Sequence, residues 1–312
     1  MQRYKIFANH ALLIMNYLVT LQQILREDKK MSSLVRLYII ISAVLIVVLT
    51  SCGGNKRSQT PESIPADSIA PDSLVNDSLQ ALVENYPMPK AADELFDDFV
   101  YNFVVNRKLQ MERILFPLPY EKEGKTKRLA KSDWKVEHFF MRQGYYTLLF
   151  DNEKQMEIVK DTSVNQAIVE KIHFDSHNIE QYIFCRNHGA WMLTKIRNIP
   201  FSQAVNATFL TFYHQFVTDK SFQEKSLAET VKFVGPDPDD DFNLMEGIIT
   251  PDTWEAFAPE LPKKMIYNII YGKPKREGDS KVFVMRGIAN GLELEMTFKR
   301  KGGDWKLVKL TT

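Results

Sequence analysis

The chain has 312 residues, with 40 Lys and Arg set against 39 Asp and Glu for a formal net charge of +1. So even a balance gives no electrostatic case for a nucleic-acid partner. Hydrophobic residues make up 45%, enough for a sizeable core, while 2 cysteines exclude a disulfide-stapled scaffold.

Near the N-terminus an apolar run extends from Leu37 to Leu49, behind Lys29, Lys30 and Arg36. A spanning helix needs about 20 apolar residues, so this run fits the core of a signal peptide better. It closes on Leu49-Thr50-Ser51-Cys52, which reads as a bacterial lipobox with Cys52 as the lipidation site. The expectation is a signal peptide over 31–51, preceded at 1–30 by an over-extended start. A rival membrane segment from Phe7 to Leu25 carries Asn9, His10, Asn16, Gln22 and Gln23, which oppose insertion. The mature protein would reach the membrane through its N-terminal lipid, held by more than one acyl chain. The other thiol, Cys185, is expected to be a small buried residue of a strand.

From 52 to 90 the composition shifts to Ser, Pro, Asp, Ala and Gln, too polar to repay ordering. This segment is expected to be a flexible tether with a reach of ~35 Å. Within it Asp67-Ser68-Ile69, Asp72-Ser73-Leu74 and Asp77-Ser78-Leu79 recur in phase. They resemble the O-glycosylation signal of Bacteroidota envelope proteins, which makes Ser68, Ser73 and Ser78 candidate sites. A plain low-complexity linker is the alternative.

Beyond Lys90 the chain is apolar and aromatic. Phe96, Phe99, Phe103, Val104 and Gln110 recur as Phe209, Phe212, Phe216, Val217 and Gln223 at one constant offset. Phe184, Arg186, Gly189, Trp191, Leu193 and Lys195 recur as Phe298, Arg300, Gly303, Trp305, Leu307 and Lys309. Two domains, 91–200 and 201–312, are therefore expected. Each opens with an amphipathic helix, as the i, i+3, i+4, i+7 spacing requires. Short second helices are placed around Leu109–Leu115 and Phe222–Val231. A period of two then predicts a strand over Trp134–Met141. Further strands are expected at Tyr145–Phe150, Ala167–Phe174, Glu180–Arg186 and Ala190–Ile199. In the second copy they lie at Met265–Tyr271, Lys281–Ile288, Leu292–Arg300 and Trp305–Leu310. Asn187-His188-Gly189, Asn290-Gly291 and Gly302-Gly303-Asp304 are hairpin turns. The fold class expected is α+β: two tandem cone-like domains, each with N-terminal helices packed on a curved antiparallel sheet.

Helices first, then strands closing on Gly-x-Trp-x-Leu, resemble the nuclear-transport-factor-2-like (NTF2-like, cystatin-like) fold. The lipobox, Phe116-Pro117-Leu118 and Tyr267-Asn268-Ile269-Ile270-Tyr271-Gly272 are similar to an uncharacterised Bacteroidales lipoprotein family. These are packing motifs, so the resemblance implies no catalytic residue. Gly53 after the cysteine, by likeness to Gram-negative lipoproteins, implies the outer membrane. Lys56 and Arg57, in place of an acidic run, favour the periplasmic face over surface display.

Chemistry-bearing constellations are sparse. His138, on the apolar face of its expected strand, is a candidate ligand-binding group or a buried structural histidine. Arg186 and Arg300 alternate with apolar residues near a strand end, where they could meet an anion or snorkel to solvent. His173, His177, His188, Cys185 and Asp175 look like metal ligands until the hairpin is drawn, which carries His188 about 30 Å away along its strand. Asp237, Asp239, Asp240 and Asp241 lack the Gly and Glu of a calcium loop. The sequence thus yields no catalytic residues, no metal and no cofactor. It points to a cell-envelope protein with a non-enzymatic binding or scaffolding role toward an envelope protein, a glycan or a small apolar ligand. The alternative is a hydrolase or isomerase with a polar pocket in one domain.

Overall fold

A computed structural model describes residues 90–237, 240–274, 276–288 and 290–312. The expected signal peptide and tether, with Cys52, Ser68, Ser73 and Ser78, lie outside the described residues. Helix α1 (Phe96–Val105) buries Phe96, Phe99, Val100, Phe103 and Val104, the face its spacing foretold. Asn106 ends it and caps α2 (Arg107–Glu112), its Oδ1 accepting from the Leu109 amide at 2.9 Å. The corner recurs between α3 (Ala207–Thr218) and α4 (Lys220–Lys225), where Asp219 Oδ1 accepts from the Phe222 amide at 3.0 Å.

The described strands are β1 (Leu118–Lys122), β2 (Lys125–Leu129), β3 (Tyr145–Phe150), β4 (Gln166–His173), β5 (Asn178–Asn187) and β6 (Ala190–Pro200). They continue with β7 (Leu227–Asp237), β8 (Asp240–Ile249), β9 (Met265–Tyr271), β10 (Ser280–Gly287), β11 (Glu293–Lys301) and β12 (Asp304–Thr311). All join one 12-stranded sheet in the order β2-β1-β6-β5-β4-β9-β3-β10-β11-β12-β7-β8. Three pairings are parallel, β1 with β6, β3 with β9 and β7 with β12.

This overturns the expected pair of tandem domains, each with helices on its own antiparallel sheet. Neither half completes a sheet by itself. Strand β3 bypasses β4 and pairs antiparallel with β10, and β9 crosses back to pair with β4. The recurring motifs are real as contacts, but they sit within one mixed sheet. Phe96 meets Trp191 edge-on at 5.0 Å, as Phe209 meets Trp305 at 5.4 Å.

Side chains alternate along the shared strands, so the two faces of the sheet feed different cores. Leu148, Val282 and Val284 join α1, Phe184, Trp191 and Leu193 in one. Phe283, Met285 and Ile266 join α3, Phe298, Trp305 and Leu307 in the other. The helix pairs therefore cover opposite faces.

Three local expectations also change. Trp134–His138 is irregular and Phe139–Arg142 is a 3-10 turn, not a strand. Phe139 adopts a φ of 42° so that it and Phe140 both turn inward, which an alternating strand forbids. The second short helix of the C-terminal half stops at Lys225, and β7 takes the residues after it. Cys185, expected to be buried, is half-buried, 3.8 Å from the Thr194 hydroxyl.

One polar row runs across the middle of the sheet, through Gln181, Glu170, Asn268 and Thr147. The Glu170 carboxylate is buried and accepts from Gln181 Nε2 at 2.8 Å and Asn268 Nδ2 at 3.0 Å. Burial holds its pKa above the ordinary glutamate value, and the two amide donors only partly offset this. A raised carboxyl pKa contributes stability that is whole in acid and is lost as pH rises through the folded value. Glu170→Gln keeps the shape without the charge. Its melting temperature should gain on the wild type as pH climbs from the ordinary carboxylate range, and a pH-independent difference would contradict this.

Candidate functional site

The two helix pairs, on opposite faces of the one sheet, carry the same glutamine–tryptophan contact, and they differ in the residues just beyond it. In the first, Gln110 is fully buried and its Oε1 accepts from Trp134 Nε1 at 3.1 Å. In the second, Gln223 Oε1 accepts from Trp254 Nε1 at 3.0 Å. The fifth and sixth residues after Trp134 are Phe139 and Phe140, whereas after Trp254 they are Pro259 and Glu260.

That difference decides which of the two helix-covered spaces is open. Phe139 packs edge-on to Tyr182 at 4.7 Å, and Phe140 lies 5.3 Å from Tyr146 and 5.6 Å from Tyr101. Together they fill the space under α1. Glu137 closes it from outside: its carboxylate accepts from the Tyr267 hydroxyl at 3.3 Å and lies 3.7 Å from Lys171 Nζ. Tyr182 donates to Glu180 at 2.7 Å, and burial raises the pKa of both tyrosines.

The space beside α3 has no such plug. Phe257 turns away to meet Phe233 at 5.3 Å and is 42% exposed. The proline-bracketed run Pro259-Glu260-Leu261-Pro262 stays at the rim, tied by the Tyr213 hydroxyl donating to the Pro262 carbonyl at 3.2 Å. What remains is a cavity of about 1220 Å³. Phe216, Val217, Trp254, Met285 and Leu294 line its floor, and all five are buried. Tyr145 reaches in from β3, the strand contributed by the N-terminal half. Burial raises its pKa, so the phenol stays protonated at neutral pH and can donate one hydrogen bond. Charged residues stand only around the mouth, Lys220, Glu224, Glu255, Glu260 and Lys263 among them.

A smaller cavity of about 360 Å³ lies beside Asp151, Asn206 and Lys281. Among the described residues no three His, Cys, Asp or Glu side chains are grouped as metal ligands. No described helix is long and apolar enough to cross a membrane.

The candidates named from sequence lie elsewhere. His138 sits before the 3-10 turn, its Nδ1 3.2 Å from the Val104 carbonyl. Arg186 stacks 4.8 Å above Trp191 and donates to the Val164 carbonyl at 2.9 Å and to the Glu94 carbonyl. Arg300 stacks 4.5 Å above Trp305 and donates to the Thr208 hydroxyl at 2.6 Å. It also lies 3.5 Å from Glu277, whose carboxylate accepts from the Phe209 amide at 2.9 Å in the first turn of α3. None of the three borders either cavity. Sequence reasoning misses the cavity residues because each reads as ordinary core. Setting Phe139-Phe140 beside Pro259-Glu260 is the available signal.

A domain of unknown function, DUF4348, matches residues 75–312. Among solved structures the chain is similar to an NTF2-like protein from Bacteroides fragilis NCTC 9343, whose crystal structure was determined at 2.15 Å resolution. The two are 38% identical with a TM-score of 0.64, over 72% of this chain and 98% of that one. No curated protein matches.

Proposed function

Because the chain belongs to the DUF4348 family and has an NTF2-like fold, we propose that it is a cell-envelope lipoprotein whose role is binding, with the C-terminal cavity as its site. The observation that carries this reading is the contrast between the plugged space under α1 and the open cavity of about 1220 Å³ beside α3. A cleft of that size has an apolar floor and a polar mouth, the mix that ligand sites commonly present. The buried floor is apolar, and Tyr145, Thr218, Gln223 and Thr312 add uncharged polar groups to the lining, an arrangement suited to holding a ligand. Anchoring rests on Leu49-Thr50-Ser51-Cys52, and the periplasmic face of the outer membrane on Gly53, Lys56 and Arg57.

Titration with the neutral apolar dye N-phenyl-1-naphthylamine tests the site. The wild type should bind one equivalent. Pro259→Phe combined with Glu260→Phe, which restores the aromatic pair found at Phe139 and Phe140, should abolish binding while leaving far-UV circular dichroism unchanged. Full binding by that folded variant would refute the assignment.

A further inference from the structure

The charges around this mouth narrow the ligand class, an inference that rests on the binding reading above. Lys220 and Glu255 neutralise each other at 2.7 Å, and Arg286 pairs with Glu293 at 2.8 Å. The charges left over are Glu224, Asp252 and Glu260 against Lys263, all exposed and none in an ion pair among the described residues. Carboxylate is therefore in excess at the entrance, while the depth of the cavity is apolar. A charged rim over low-dielectric walls focuses its field into the opening and enriches ions of opposite sign.

We propose that the cavity takes a cationic amphiphile, with an alkyl or aryl group against Met285, Leu292 and Leu294 and an amine, quaternary ammonium or guanidinium at the Glu224 and Glu260 carboxylates. Each methylene the floor buries should raise affinity about fourfold. Each carboxylate removed from the rim should lower it for cations and raise it for anions. Salt should weaken the preference, because the rim is open to solvent. Tyr145 then serves as a neutral donor to any ether, ester or amide joining head to tail.

The test is calorimetric titration of the full chain carrying Cys52→Ser, which removes any competing acyl group. The probes are decyltrimethylammonium, decyl sulfate and decyl maltoside, each below its micellar concentration in low salt. The cation should bind at least tenfold more tightly than the sulfate. Glu224→Lys combined with Glu260→Lys, both at exposed positions, should bring that ratio to one or below. If the sulfate binds as tightly as the cation, the charge inference is overturned while the cavity assignment stands. If none of the three binds, the cavity assignment itself fails, and this inference with it.

Discussion

Phe140→Ala should lower the free energy of unfolding by about 3–5 kcal/mol, the usual cost of emptying a buried phenylalanine site. Phe140 is fully buried and touches Tyr101, Tyr146 and Tyr267. Its neighbours cannot collapse onto the space. Gln110 fixes one wall by four hydrogen bonds, donating to the Phe103 and Glu137 carbonyls and accepting from Trp134 and the Glu137 amide. A void lined by rings should persist and take up one benzene. Urea unfolding gives the stability, and benzene binding gives the void. A loss below about 1 kcal/mol with no benzene bound would mean that this ring does not fill the space under α1.

Asp151→Ala should cost a comparable 3–5 kcal/mol, by a different mechanism. The Lys281 side chain is 3% exposed, and its Nζ meets Asp151 Oδ1 at 2.5 Å. Removing the carboxylate leaves a buried ammonium without its counter-charge, which is far worse than removing both partners. Adding Lys281→Met to Asp151→Ala should therefore recover most of the loss in urea unfolding at neutral pH. The pair also joins the end of β3 to β10, strands from opposite halves. An additive double mutant would show the pair to be uncoupled, contrary to its geometry.

Local structure is legible in the sequence, and long-range pairing is not. Strands β3 and β9 are located to the residue, because Tyr145–Phe150 and Met265–Tyr271 stand out as apolar blocks. Their partners are misassigned, since periodicity says nothing about which strand lies alongside. A clue is present: both runs are apolar on both faces, the mark of a strand in the middle of a covered sheet rather than at the end of one half. The strand expected over Trp134–Met141 fails because alternation there is coincidental. Phe139 is as buried as Phe140, and only a left-handed φ turns both inward. Strands β1 and β2 escape because Lys125, Lys127 and Arg128 mark a charged, exposed edge with no apolar face.

Of the site, the sequence shows the parts and not their emptiness. Phe216 and Val217 read as helix-face core, and so they are, yet they border open volume. A cavity is the absence of a filler. It becomes visible in sequence only when the filled counterpart, Phe139-Phe140, is laid against Pro259-Glu260. Arg186 and Arg300 attract notice through their recurrence, which tracks the tryptophan each one covers.

Crystals soaked with 10-bromodecyltrimethylammonium offer the sharpest check, because anomalous scattering marks where the tail goes. An ordered bromine peak among Met285, Leu292 and Leu294, with nothing beneath Phe139 and Phe140, is the outcome expected when only the C-terminal cavity is open. Bromine found only on the outer surface, or equally under both helix pairs, would contradict it.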